Sequence, residues 1–174
     1  FGLGIEDTLI YIGIICDAST GTVANLDAYI VAYDPNGGGF NTVFRMDMDY
    51  PRRCADSAPG CAAARAADWR PWTDTWAFPN PVIYPQPILT DIEFDNNGDM
   101  ILGFRDRIGS QAGNQQRSPN VADAALYNST GAGDILRACT DGAGGWVLEA
   151  NATCGLITTA GNVGEFEGQG PADP

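Results

Sequence analysis

Oxygen-bearing side chains alternate along one short stretch of the sequence, with a spacing that suits a hard cation. Calcium prefers carboxylate and amide oxygens, and alternate residues of a strand share one face. The stretch stops short of the bidentate glutamate that completes an EF-hand loop. The alternative, which we favour, is that residues 95–98 form an ordinary turn and the acids lie on a solvated face. The candidate calcium ligands are Asp91, Glu93, Asp95, Asn97 and Asp99.

Three tryptophans lie close together in the segment DWRPWTDTW, with carboxylates between them. Flat rings beside acids are typical of surfaces that stack on sugar rings, so the segment is a candidate carbohydrate-binding loop. We favour a second interpretation, in which the rings fold back and bury the proline-rich segment. A third is that they pack on a neighbouring subunit. The candidate ligand-binding residues are Trp69, Trp72, Trp76, Asp74 and Tyr84.

Carboxylates are the only plentiful acid-base groups, because the chain has no histidine. This excludes Ser-His-Asp and Cys-His arrangements, and GxSxG and nucleotide-binding motifs are also absent. A glycosidase would need two opposed acids, for which Glu93, Asp74 and Asp68 are the best candidates. We therefore expect no enzymatic activity and assign no catalytic residue, with a glycosidase as the surviving alternative.

The five cysteines stand apart, in no CxxC pattern that would indicate a metal or haem. Their isolation favours disulfides and hence an oxidising compartment, although reduced, partly buried thiols are the alternative. Cys139 and Cys154 flank a predicted hairpin, so a bridge between them would clamp it. Cys54 and Cys61 bracket a small loop and are the second candidate pair, which leaves Cys16 odd unless it pairs with one of those two.

The elements that would position these residues repeat within the chain. Residues 28–44, AYIVAYDPNGGGFNTVF, are echoed by residues 134–149, DILRACTDGAGGWVLE, and each copy reads as a β-hairpin. A further strand precedes each copy, at residues 8–16 and 99–105. Asn97-Gly98 separates two apolar runs, which is a strong hairpin signal. Two related sheets in one chain indicate a repeat architecture such as a β-propeller.

The predicted fold is all-β, with antiparallel blades of β-propeller type and long Pro- and Gly-rich insertions. We expect one β domain or propeller fragment over residues 1–174, with short helices at 61–67 and 121–127. A closed propeller needs about four to eight blades, so this one is incomplete. We expect the chain to belong to a larger protein or to complete its sheets with a partner. The predicted segments are a blade-like sheet at 5–50, an insertion at 51–87, a second sheet at 88–105 plus 132–151, and an irregular tail at 155–174.

The charge is strongly acidic: nine arginines and no lysine face 22 Asp and Glu residues, for a net charge of -13. Nucleic-acid partners are therefore not expected, because a basic surface supplies most of their affinity. No apolar run approaches the roughly 20 residues that span a bilayer, so we expect no membrane span.

Residues 87–114, PILTDIEFDNNGDMILGFRDRIGSQAGN, and 132–155, AGDILRACTDGAGGWVLEANATCG, carry a resemblance to a known family. They resemble the propeller-like N-terminal region of large secreted bacterial surface proteins that carry SdrD B-like repeats. The stretches GIEDTLIYIGIICDAST and DYPRRCADSAPG are similar to the same region. The resemblance implies an extracellular or cell-surface location and no established catalysis.

Together these observations predict an extracellular structural or adhesive module of a bacterial surface protein. A self-assembling fibre or lattice subunit is the specific hypothesis. Its partners would be other copies of itself or the remainder of a larger parent protein, because unpaired sheet edges invite strand addition. Calcium is the one candidate cofactor. The alternative function is a carbohydrate-binding module that uses the tryptophan-rich loop at residues 68–76.

Overall fold

The computed structural model describes residues 2–50, 68–131, 133–149 and 154. Regular structure in these residues is almost entirely β-strand, which confirms the all-β prediction. No helix in the described part of the chain is long and apolar enough to cross a membrane. The strands are β1 (Leu3–Glu6), β2 (Leu9–Cys16), β3 (Asp27–Asp34), β4 (Gly39–Asp47), β5 (Pro87–Phe94), β6 (Met100–Asp106), β7 (Gln116–Arg117), β8 (Leu126–Tyr127), β9 (Asp134–Thr140) and β10 (Trp146–Leu148). The helices are a 3-10 turn at Val23–Asn25 and α1 at Arg107–Ala112.

Two four-stranded antiparallel sheets make up most of the fold. Sheet 1 has the order β1-β2-β3-β4, and sheet 2 has the order β10-β9-β6-β5. The strands β1 and β2 lie against β5, and β4 lies against β10, so like strands of the two meanders are adjacent. The short strands β7 and β8 form a separate pair. The described residues form no closed ring of blades.

The main hydrophobic core lies between the two sheets. Strand β3 shows why: Ala28, Ile30 and Ala32 point inward, whereas the intervening side chains lie on the opposite face, as the two-residue period of a strand requires. Sheet 2 contributes the larger side chains to the same core. These are Leu89, Ile92, Met100, Leu102, Phe104 and Leu136.

The hairpin between β5 and β6 forms where the Asn-Gly pair predicts it. The Asp95 carboxylate accepts hydrogen bonds from the backbone N–H groups of Asn97 at 2.8 Å and Asp99 at 3.1 Å. Gly98 has a φ of 82°, which is the left-handed region that favours glycine. The turn chemistry read from the sequence is thus what joins these two strands.

A helix predicted at residues 121–127 is wrong, because this segment contains turns and strand β8. The Asn120 and Asp123 side chains accept hydrogen bonds from the backbone N–H groups of Ala122 and Ala125. Such local bonds offer the backbone an alternative to a helical ladder. The α-helix lies instead at the end of β6. The other predicted helix, at 61–67, lies outside the described residues.

Strand β1 was not predicted. It is joined to β2 by Asp7 and Thr8, both with positive φ values of 47° and 72°. A two-residue hairpin turn of this kind is usually marked by Asn-Gly or Asp-Gly, and Asp-Thr does not carry that signal.

Candidate functional site

The three tryptophans of residues 68–76 occupy three different settings. Trp69 is fully buried in the main core, 6.2 Å from the Phe104 ring between ring centres. Its indole N–H donates to the Tyr50 hydroxyl at 3.1 Å, and that hydroxyl donates to Asp134 at 2.7 Å. The prediction of a ligand-binding role for Trp69 is therefore corrected: its ring has no exposed face, because it fills the space between the sheets.

Trp72 is held by a network around one arginine. The Arg107 guanidinium lies 4.8 Å from the centre of the Trp72 ring, and the indole N–H donates to the carbonyl of Pro87 at 3.0 Å. Arg107 also donates to the Gln86 side chain at 2.7 Å and pairs with Asp74 at 3.1 Å. One face of Trp72 is thus engaged by a cation of the same molecule.

Trp76 belongs to a second, smaller hydrophobic cluster. Its ring meets those of Phe78 and Tyr127 edge-on, with centre distances of 5.2 Å and 5.4 Å. Tyr84 is half-buried in the same cluster and lies 5.0 Å from Phe78. Trp76 and Tyr84 therefore lie together, apart from Trp69.

A cavity of about 310 Å³ opens beside this cluster. Its volume is at the lower end of the range for small-molecule sites. The apolar part of its wall includes Trp76, Phe78 and Ile108. Its charged groups are Arg107, Arg117 and Asp74, of which Asp74 has a side chain that is 97% exposed. An apolar wall with hydrogen-bonding groups at its rim can bind a small polar ring.

The predicted calcium ligands lie around the hairpin of β5 and β6. Asp91 and Glu93 are exposed and flank the buried Ile92, so they share one side of β5. Arg137 lies 3.4 Å from the Asp95 carboxylate and 3.6 Å from the Asp99 carboxylate. Asn97 is exposed in the turn. The guanidinium thus balances charge at two of the five positions, and calcium binding stays a prediction.

The predicted bridge between Cys139 and Cys154 is present, with Cα atoms 5.5 Å apart. It ties residue 154 to β9. Asp99 lies beside the bridge and accepts hydrogen bonds from the backbone N–H and the hydroxyl of Thr140 at 2.8 Å and 3.2 Å. Bridged sulfurs are not thiolates, so these three residues do not offer a metal site in this state. Cys16 is exposed and unbridged, and the Cys54–Cys61 prediction lies outside the described residues.

The acids considered for catalysis lie in different places. Asp74 is at the rim of the cavity, whereas Glu93 is on the exposed side of β5 in sheet 2. Asp68 lies at the start of the connecting segment, next to the buried Trp69. Among the described residues, no two of these three acids form the opposed pair of carboxylates that a glycosidase needs.

Sequence reasoning missed a large apolar surface on the outside of sheet 1. It is continuous across all four strands, since residues paired in register share a face. Leu3 is 57% exposed and Ile5 is 73% exposed, and none of its side chains belongs to either hydrophobic cluster of the described residues. The signal for it in the sequence is the continuous apolar run of β2, residues 9–15. The apolar and aromatic residues of this open face of sheet 1 are Leu3, Ile5, Ile10, Ile12, Ile14, Tyr29, Val31, Tyr33 and Phe40. Thr42, Cys16 and the ion-paired Arg45, Asp27 and Asp47 complete the face.

Three proteins of Dictyostelium discoideum are similar to nearly the whole chain. Colossin-B is 29% identical over 98% of this chain, Colossin-A is 29% identical over 99%, and Colossin-C is 27% identical over 87%. The matched region is a small part of each relative, at 4%, 1% and 13% of its length respectively. No protein-family model and no solved structure matches the chain.

These relatives correct the resemblance drawn from the sequence. The chain is similar to eukaryotic colossins and not to bacterial surface proteins with SdrD B-like repeats. The motifs behind that assignment are the strand-turn-strand unit around Asn97-Gly98 and the second hairpin. Both encode local β structure, which is shared by many unrelated β proteins.

Proposed function

We propose that this chain is an extracellular structural module whose two sheets are blades of propeller type and whose first sheet joins a further β-sheet. The observation that carries the proposal is the open face of sheet 1. Contiguous exposed apolar surfaces on soluble proteins mark interaction sites, because their burial releases apolar area from water. The adjacency of like strands, β1 beside β5 and β4 beside β10, supports the blade arrangement.

Two further observations support the extracellular and structural parts of the proposal. The Cys139–Cys154 bridge suits an oxidising compartment, where structural disulfides persist. The colossins are far longer than the region they share with this chain, which suits a module within a large assembly. An adhesive role would use the same open face on a foreign partner.

The test is the association state of the purified chain, measured by light scattering over a wide concentration range in calcium and again in chelator. We expect association that grows with concentration, because the open face of sheet 1 is exposed in an isolated chain. Ile5→Thr with Ile14→Thr should reduce it while keeping residues that favour strands. Persistence in chelator would assign the contact to the apolar face, and loss in chelator would place calcium there.

The matched control is Val121→Thr, which changes a loop residue that is 98% exposed and belongs to neither sheet. We expect it to leave the association unchanged. A wild-type chain that stays monomeric at the highest concentration in both buffers would contradict the proposal.

Carbohydrate binding is the second candidate function, and the cavity beside Trp76 is the observation that favours it. Arg117 is exposed at this cavity, so its replacement should weaken sugar binding without harming the core. We expect Arg117→Ala to lose affinity for methyl glycosides, measured by ligand-observed NMR. Arg105→Ala is the control, because Arg105 is also exposed but does not line the cavity. Absence of binding to the wild-type chain would exclude this candidate.

A further inference from the structure

The strands of the two sheets repeat one sequence pattern. A glycine in the second strand of each sheet shows which residues of the two sheets correspond. Gly13 in the middle of β2, within Ile-Gly-Ile, corresponds to Gly103 in β6, within Leu-Gly-Phe. The strand registers extend this correspondence to the neighbouring strands. Leu3 pairs with Ile12 as Ile92 pairs with Leu102, so the residue in β5 that corresponds to Leu3 is Ile92.

Every apolar position obtained in this way is buried or half-buried in sheet 2 and lies on the open face in sheet 1. In sheet 2 the face is covered by sheet 1: Ile92 is 1% exposed, and Leu102 is 0% exposed. The open face of sheet 1 therefore repeats a face that this molecule covers with a β-sheet. The corresponding pairs are Leu3 and Ile92, Ile5 and Phe94, Ile10 and Met100, Ile12 and Leu102, Ile14 and Phe104, and Val31 and Leu136.

The covering sheet fits because it carries glycine at the points of closest approach. A Cβ atom placed on Gly4 would lie 2.6 Å from the carbonyl oxygen of Ile92. One placed on Gly13 would overlap the Leu89 side chain, and one on Gly2 would lie 3.0 Å from the backbone nitrogen of Asp91. Large side chains of sheet 2 thus rest on the bare backbone of sheet 1.

The other side of sheet 2 keeps Gly103, the counterpart of Gly13, but has no glycine where sheet 1 has Gly2 and Gly4. Gly2 lies beside Gly13, whose N–H donates to the Gly2 carbonyl at 2.9 Å, and Asp91 is the register partner of Gly103. Gly4 pairs with Tyr11 as Glu93 pairs with Ile101. Sheet 2 therefore has the exposed carboxylates Asp91 and Glu93 at the positions that correspond to Gly2 and Gly4 of sheet 1. Burial of an unpaired carboxylate against an apolar face is strongly unfavourable, so this side does not accept a similar sheet.

We propose that the open face of sheet 1 docks a third antiparallel sheet whose contacting face carries glycine where sheet 1 has Gly2 and Gly4. On the opposite side of the molecule, the carboxylates of Asp91 and Glu93 prevent a further sheet from packing on sheet 2. This inference rests on the proposed structural function and specifies the partner. The described residues of the wild-type chain form one such apolar face, so association of the isolated chain through it stops at pairs of molecules. A molecule with both an apolar face and a glycine face would join others head to tail, in rings or open chains.

The experiment introduces the missing glycines on the outer side of sheet 2. In Asp91→Gly with Glu93→Gly, the outer side of sheet 2 acquires the glycine positions of sheet 1. We expect light scattering to show assemblies that grow beyond pairs as concentration rises. Adding Ile5→Thr and Ile14→Thr to this variant should abolish the growth, because the opposing face is then removed.

The control is Asp91→Asn with Glu93→Gln, which removes both charges but keeps side chains of the same size. We expect it to associate no further than the wild-type chain. Three outcomes would each overturn the proposal. They are assemblies larger than pairs in this control, large assemblies of the glycine variant that persist after Ile5→Thr and Ile14→Thr are added, and a folded glycine variant whose assemblies are no larger than those of the wild-type chain. Circular dichroism and a thermal melt establish folding. Since glycine weakens a strand, single Glu93→Gly serves as the milder variant and is judged by the same outcomes.

A failure of the proposed function and a failure of this inference give different results. A wild-type chain that never associates contradicts the function, whereas a wild-type pair whose glycine variant does not grow contradicts only the choice of partner.

Discussion

At the scale of single residues, Glu149 is a buried carboxylate that the sequence analysis did not single out. It is 4% exposed, and its carboxylate accepts a hydrogen bond from the backbone N–H of Arg137 at 2.6 Å. Its own N–H donates to the Arg137 carbonyl at 2.9 Å. Burial raises the pKa of Glu149, because the charged form is poorly solvated there. The residue holds the chain beyond β10 against β9, so its role is structural.

The raised pKa of Glu149 predicts how the stability of the folded protein depends on pH. The folded state keeps the Glu149 proton over a pH range in which the unfolded chain has released it, so this group's contribution to stability falls as pH rises through that range. Glu149→Gln keeps the acceptor oxygen and removes the charge. We expect it to unfold at higher urea concentration than wild type at neutral pH, with the difference shrinking as the pH falls to the ordinary range of a glutamate pKa.

The control for this prediction is Asp91→Asn, which neutralises an exposed carboxylate and should show no such difference. A Glu149→Gln protein that is less stable at neutral pH, or a difference that grows on acidification, would mean that the fold depends on the ionised carboxylate.

At the scale of elements, replacing Gly13 or Gly103 by alanine should change the free energy of unfolding by different amounts. A Cβ at Gly13 would overlap Leu89 in the packed core, and such overpacking typically costs about 1–3 kcal/mol. A Cβ at Gly103 would lie 3.3 Å from the Asp91 Cβ on the outer side of sheet 2, where neighbours can move. We expect Gly13→Ala to lower the free energy of unfolding by that amount and Gly103→Ala to change it little. Equal losses in denaturant titrations would show that the close contact between the sheets is not the cause.

The strands could be predicted where their signals are local. The hairpin at residues 28–44 and the Asn97-Gly98 turn encode their own structure, and both were recognised. The apolar run of β2 encodes a strand but not which face is covered, since that depends on another sheet. Trp69 and Trp76 look alike in the sequence, yet one fills the core and the other lines a cavity. Their difference arises from long-range contacts, which a local pattern does not contain.

At the scale of the whole molecule, the two outer surfaces differ in character. One end of the pair of sheets presents the open face of sheet 1. The other end presents the carboxylates Asp91 and Glu93 together with the exposed Ile135 and Val147, on a chain whose net charge is -13. Neither the sequence repeat nor the composition alone predicts this asymmetry. It emerges only when the registers align the two sheets and show which face each residue occupies. The same limit explains why local motifs suggested bacterial relatives for a chain that is similar to colossins.

The buried Tyr50 hydroxyl joins parts of the chain that are distant in sequence. It accepts from Trp69 and donates to Asp134, which is 84 residues further along. During synthesis, the first sheet and the connecting segment leave the ribosome well before Asp134 does. A buried hydroxyl without its acceptor is unfavourable, and contacts of large sequence separation slow folding. We therefore expect the first sheet to reach its final packing only once β9 has been made, so that the chain folds late and as one cooperative unit.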